Sequence, residues 1–153
     1  AYTIAMVLGL ELGLERLADE VAILGTDVSQ ASIDEATRAR YAAKSIERLP
    51  REYRGCFRVH GQEVSPKEHY RDICMFRKLN LLLEKYPFKR GFDVIFCRNV
   101  FIYFDRPTQQ AIASRMAQLV PEGGYLFLSQ TETLRDAVVP FDRVGPGIYR
   151  RYG

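Results

Sequence analysis

An apolar run that stops abruptly on two polar residues constrains this chain more than anything else in it. Phe92-Asp93-Val94-Ile95-Phe96-Cys97 leads directly into Arg98-Asn99, then Val100-Phe101-Ile102-Tyr103-Phe104-Asp105. From Val94 to Cys97 nothing alternates, so the segment reads as a strand covered on both faces, the pattern of a parallel sheet. Asp105-Arg106-Pro107 then supplies an N-cap and a proline tolerated in a first helical turn. Ile112, Met116, Leu119 and Val120 mark one apolar face of a helix that closes at Gly123-Gly124. In open α/β sheets ligands lie beyond the carboxyl ends of the strands, which puts Arg98 and Asn99 where a cofactor is expected.

The rest of the chain fits the same architecture. Ile4, Leu8 and Leu12 predict a helix running toward Asp19, and Val21–Thr26 predicts a buried strand ending on Asp27. Ser32 and Glu35 form a capping box for a helix carrying Ile33, Ala36, Arg40 and Ala43, and Pro50 interrupts any continuation. Between them and the Phe92 strand, Cys56–Val59 and Ile73–Phe76 read as short strands about a turn near Gly61 and Ser65-Pro66, a small β insertion over 56–76. Tyr125–Leu128 is a further strand. Phe141–Val144 and Ile148–Tyr152, joined through Gly145-Pro146-Gly147, form a terminal antiparallel hairpin. The order predicts one α/β domain over 1–153 with a mostly parallel sheet.

Composition narrows the function classes. The net charge of +3 is spread without a basic block, which argues against a nucleic-acid binder. The three cysteines, Cys56, Cys74 and Cys97, form no CxxC pair and suit a reducing cytosol. No span is long and apolar enough for a bilayer, no signal peptide pattern opens the chain, and no spacing of ligand residues supports a metal. A cytoplasmic monomer without membrane insertion is expected. Neither GxGxxG nor GxxxxGKS occurs, which disfavours other nucleotide-binding α/β enzymes.

Several segments together resemble one family. Thr26-Asp27-Val28-Ser29, Phe76-x-x-x-Asn80-Leu81-Leu82, the Phe92–Asp105 block and Thr131-Glu132-x-Leu134 are similar, in order, to signatures of the CheR-type chemoreceptor glutamate methyltransferases. The Cys-Arg-Asn-Val-x-Ile-Tyr-Phe-Asp block is specific, whereas Thr-Asp-Val-Ser alone is weak. The resemblance implies a Rossmann-like domain that binds S-adenosylmethionine, releases S-adenosylhomocysteine, and methylates glutamate side chains on chemoreceptor signalling helices. It implies that Asp27 holds the ribose hydroxyls, that Asn80, Leu81, Arg98 and Asn99 line the cofactor pocket, and that Arg98 and Tyr103 serve catalysis. These side chains are expected to converge on one cleft. The insertion corresponds to the family's receptor-docking subdomain and looks short, as in relatives that do not rely on a receptor pentapeptide tether.

Chemistry agrees with that implication. A glutamate acceptor is already ionised at neutral pH, so no general base is needed and the missing catalytic histidine is no objection. In-line positioning is the main requirement. The family's first strand and its glycine-containing loop ending in Gly-Glu-Glu would precede Ala1, and the helical amino-terminal domain is also absent; these 153 residues alone are therefore expected to bind cofactor weakly and to be inactive. Ser129-Gln130-Thr131-Glu132 departs from the glycine and serine usual around the family's glutamate. Against the functional reading stand simpler roles. Asp27 is suited to capping, Asn80 to a turn, Arg98 to pairing with Asp93 or Asp105, Asn99 to a buried carbonyl, and Tyr103 to packing on the crossover helix. His60 and His69 are expected at an exposed turn, and Arg150-Arg151 at a solvated edge. A non-catalytic receptor-binding or regulatory module of the same fold is the alternative function.

Overall fold

In Ala1–Asn80 the structure is organised by one pair of parallel strands, β1 (Ile23–Asp27) and β5 (Cys74–Lys78), in register from Ile23 opposite Cys74 to Asp27 opposite Lys78. This is a computed structural model, and it describes residues 1–134 and 137–153. Gly25 leaves room for its partner: a Cβ there would lie 2.6 Å from the Phe76 ring, whose centroid is 5.4 Å from that of Tyr2. Tyr2, Ala5, Met6, Leu17, Ala39, Cys56 and Tyr70 are buried together with this pair. The helix expected through Asp19 is two, α1 (Tyr2–Leu12) and α2 (Leu14–Glu20), because Gly13 adopts a φ of 83° and ends the first.

Two further expectations shift. The helix after β1, α3 (Gln30–Arg38), is capped by Ser29, whose hydroxyl accepts from the Ser32 N–H, so Ser32 lies inside the first turn rather than at the cap. The helix ends before Arg40 because the buried Ala39 turns left-handed, and the chain enters β2 (Tyr41–Ala42). The short helix α4 (Arg51–Arg54) follows Pro50. The β insertion is a hairpin of β3 (Phe57–His60) and β4 (Glu63–Pro66), with β2 on the other side of β4. Its tight turn pairs His60 with Glu63, so the hairpin closes locally. The Ile73–Phe76 segment, expected beside it, is separated by α5 (Glu68–Asp72) and belongs instead to β5.

Residues Leu81–Gly153 form a second unit. Here β6 (Val94–Phe96) runs parallel to β7 (Tyr125–Phe127), linked by α6 (Arg106–Leu119). Asp105 caps that helix by accepting from the Thr108 N–H at 3.0 Å, with Pro107 in the first turn. The terminal hairpin of β8 (Phe141–Gly145) and β9 (Ile148–Arg151) completes a sheet of order β6-β7-β9-β8. Ile112, Ala113, Met116 and Ala117 of α6 are buried with Cys97, Leu126 and Leu128. β6 is not covered on both faces as its composition predicts. Ile95 and Cys97 meet this core, but Val94 and Phe96 are 40% and 47% exposed, and the Phe96 ring stacks on Phe127 at 4.6 Å. Within residues 81–153, α6 packs on the face that carries Ile95 and Cys97, and the face of Val94 and Phe96 has no such layer.

Gly147 joins the hairpin to the end of β7. It has a φ of 68°, and a Cβ there would lie 2.7 Å from the Leu128 carbonyl oxygen and 2.9 Å from that of Ser129. Gly61 has a similar φ of 65° but open space around it. Gly61→Ala should therefore cost about 1 kcal/mol from conformation alone, and Gly147→Ala about 2 kcal/mol or more because fixed backbone must also move. Denaturant unfolding of the two variants measures this; equal losses would contradict the packing at Gly147.

Candidate functional site

The carboxyl ends of β1 and β5 bring two of the predicted residues to the same end of one parallel pair. Asp27 is the last residue of β1, and its main-chain oxygen accepts from the Leu79 N–H at 2.8 Å, so Asn80 follows directly on the neighbouring strand's exit. The exposed Asp27 carboxylate accepts from the Ser29 N–H at 2.7 Å through Oδ1. That bond shapes the turn into α3, yet the helix cap itself is Ser29. One carboxylate oxygen is thus used by the turn, leaving the other as an acceptor for a ligand hydroxyl.

In residues 81–153 the other predicted side chains are placed by their own constraints. Leu81 packs against the core, and its carbonyl accepts from the Tyr86 hydroxyl at 2.9 Å and from Arg115 Nη2 at 3.1 Å. Arg98 and Asn99 are exposed where β6 ends, and among the described residues no carboxylate pairs with Arg98, neither Asp93 nor Asp105. Asn99 adopts a φ of 59°, a left-handed conformation that asparagine tolerates better than most residues. The 3₁₀ turn Phe101–Tyr103 follows. Its Phe101 ring is buried, whereas Tyr103 is 78% exposed and does not pack against the crossover helix.

A residue not among those predicted for the site holds this crest. Glu132 is the only buried carboxylate among the described residues. Its Oε2 accepts from the N–H groups of Asn99 (3.0 Å) and Ser129 (2.9 Å) and from the Ser129 hydroxyl (2.8 Å). Its Oε1 accepts from the N–H groups of Val100 and Phe101, both at 2.8 Å, and of Ile102 at 3.4 Å. Successive amides aimed at one anion form a concave anion nest. Burial pushes the Glu132 carboxyl up, but the Ser129 N–H and hydroxyl, then the Asn99 and Ile102 amides, outweigh it, and the group sits below its usual range. Burial first, then the Glu132 charge, pushes the Cys97 thiol up to about 12, which makes it a core residue and no nucleophile.

The departure at Ser129 has a local explanation, since this serine adds a hydroxyl donor to the nest. Gln109, also unanticipated, donates from Nε2 to the Phe101 and Phe104 carbonyls at 2.8 and 2.9 Å. A signal for Glu132 was present in the Thr131-Glu132-x-Leu134 segment that resembles a family signature, but no sequence feature assigned that carboxylate its role. An open depression of about 520 Å³ bordered by Glu122, Asp142, Arg150 and Arg151 lies where β7 begins, the opposite end from the crest, and does not contribute to it. Among the described residues no group of three acidic, histidine or cysteine side chains is arranged to hold a metal, and no helix is long and apolar enough to cross a membrane.

Because folding depresses the Glu132 carboxyl, its contribution to stability is fully present above the unfolded value, about 4.3 for glutamate, and is lost as pH falls through the lower folded value. The stability gap between wild type and Glu132→Gln should therefore be constant above about pH 5.5 and shrink on acidification. Unfolding curves across that range test it; a gap that widens in acid would reverse the assignment.

Comparison with known proteins agrees with the geometry. The family model described as "CheR methyltransferase, SAM binding domain" matches residues 1–147. A chemotaxis protein methyltransferase of Borreliella burgdorferi is 36% identical over 136 residues, covering 88% of this chain and 48% of its own length. A probable chemotaxis protein methyltransferase of Rhizobium etli is 35% identical over 157 residues, covering 97% of this chain and 57% of its own. The chain thus spans about half the length of the curated relatives it matches. Among solved structures, an O-methyltransferase family protein from Burkholderia thailandensis has a TM-score of 0.53 at 16% identity, covering 97% of this chain and 49% of its own, a likeness of fold. The α/β chain with its parallel strand pairs and Glu132-held crest belongs to the CheR methyltransferase family, as its S-adenosylmethionine-binding domain.

Proposed function

We propose that this chain is the cofactor-binding part of an S-adenosylmethionine-dependent protein-glutamate O-methyltransferase acting on chemoreceptor signalling helices, as a monomer in the cytoplasm. The observation that carries this reading is the exposed Arg98-Asn99 crest at the carboxyl end of a parallel strand, in a chain of this family. The free thiols of Cys56, Cys74 and Cys97 suit a reducing compartment.

Each side chain has a role that its chemistry supports. Asp27 would accept from the ribose hydroxyls with the oxygen its turn leaves open, and Asn80, Leu81, Arg98 and Asn99 would line the remaining pocket. The residues present fit the cofactor in this respect: an exposed carboxylate and exposed polar groups stand at strand ends. When bound, S-adenosylmethionine supplies an electrophilic methyl group on a sulfonium. The acceptor carboxylate arrives ionised, so Arg98 need only hold it by a planar, two-pronged contact, with Tyr103 flanking the approach. That attraction weakens as the carboxylate becomes a neutral ester. Arg98 therefore contributes alignment more than transition-state charge stabilisation. The insertion over 56–76 would serve receptor docking.

The test uses the full-length protein, methyl-labelled cofactor and receptor fragments. Label released by alkali as methanol identifies a carboxyl ester, and the rate should be nearly flat between about pH 6.5 and 8 because no base titrates there. Alkali-stable label would sink the glutamate assignment, and no cofactor binding at all would favour a non-catalytic module. Asp27→Ala should weaken cofactor binding by about 1 to 3 kcal/mol in calorimetry. Arg98→Lys keeps the charge but loses the fork, and should lower activity; full activity would remove the two-pronged role.

A further inference from the structure

The crest is fastened at both ends by side chains from different elements, and neither fastening side chain is needed by methyl transfer chemistry. At its start, the amides from Asn99 to Ile102 point into the Glu132 carboxylate. At its end, the Phe101 and Phe104 carbonyls accept from the Gln109 amide. Ile102 and Tyr103 project between these anchors, 59% and 78% exposed. A buried carboxylate is costly unless its hydrogen bonds are complete, and here the compensation comes from backbone that carries proposed site residues.

We infer that Glu132 and Gln109 are positioning residues of this site. Glu132 sets the cofactor end by keeping Asn99 left-handed. Gln109 sets the acceptor end by fixing the turn that presents Tyr103. The inference rests on the roles given to Asn99 and Tyr103 under Proposed function. Without the nest, Asn99 is free to relax to negative φ, carrying its side chain away, and a displacement of about 1 Å at a reacting site can cost on the order of a hundredfold in rate.

The acceptor at position 132 must be a carboxylate. The Ser129 hydroxyl can rotate, but the amides cannot. With glutamine, the side-chain NH₂ opposes the amides of either Asn99 and Ser129 or Val100, Phe101 and Ile102, whichever way it turns. Glu132→Gln thus sets donor against donor on one side of the nest and removes the charge from the other, while leaving the packed volume nearly unchanged. Gln109→Ala removes only the far fastening.

In the full-length protein without ligand, hydrogen exchange at Asn99, Val100 and Phe101 should accelerate by about tenfold or more in Glu132→Gln relative to the amides of β7. Calorimetry with S-adenosylhomocysteine should show about tenfold weaker binding in that variant. Gln109→Ala should raise KM for a receptor fragment by about fivefold while S-adenosylhomocysteine affinity stays within about twofold. A merely structural role would reduce the folded fraction, lowering apparent kcat and leaving both constants alone; that pattern overturns the inference. Equal shifts of both constants in both variants overturn it as well. If Glu132→Gln fails to fold, Ser129→Ala removes one donor from the nest and should weaken S-adenosylhomocysteine binding by about two- to fivefold; unchanged binding then counts against it. A wild-type protein that neither binds S-adenosylhomocysteine nor methylates would instead defeat the functional reading, while the exchange rates still decide whether the nest holds the crest.

Discussion

The Glu132 carboxylate is the interaction on which the geometry of residues 81–153 depends. The chain leaving β6 must turn sharply, because Cys97 and Phe101 both enter the core and only three residues separate them. A turn that tight directs consecutive amides inward, partly shielded at Asn99, Val100 and Ile102 and buried at Phe101, and unpaired donors there are expensive. Glu132 answers all of them with one anion, and the left-handed Asn99 is the conformation that aims them. Charge, turn and exposed side chains are therefore one construction. The ion is tolerable because the turn supplies donors, and the turn is tolerable because the ion accepts them.

Residues 1–80 use a different device. There the strand ends are fixed by register: Gly25 admits the Phe76 ring, Phe76 meets Tyr2, and the ladder continues until the Asp27 carbonyl receives the Leu79 amide. Apolar fit, with no buried charge, sets where Asp27 and Asn80 emerge. The antiparallel sheet of β2, β3 and β4 lies in sequence between β1 and β5, and its Tyr41 and Phe57 pack against the same apolar cluster.

Much of this was legible in the sequence wherever one segment carries its own signal. The Asp105 cap and α6, the β6 and β7 strands and the terminal hairpin all follow from local apolar spacing and turn residues. Pairing partners were less accessible. Ile73–Phe76 has the composition of a strand, but only burial of Phe76 against Gly25 selects β1 over the nearby hairpin. The exposure of Val94 and Phe96 was hidden for a related reason, since an apolar run does not state how many layers will cover it. For the proposed site, the family pattern singles out Arg98 and Asn99, while Gln109 carries no local sign at all: a glutamine near a helix start meets two carbonyls of the preceding turn only in the fold.

The amides of Asn99 and Val100 find their acceptor 33 and 32 residues later in the chain. Non-local contacts of this kind form late, after the loop-closure entropy of the intervening segment has been met. During synthesis, therefore, the crest has no anion to close around until Glu132 has also emerged. The order of translation thus keeps the crest unfinished until β7 and the Glu132 that follows it are both in hand, although β8 and β9 have still to join the sheet.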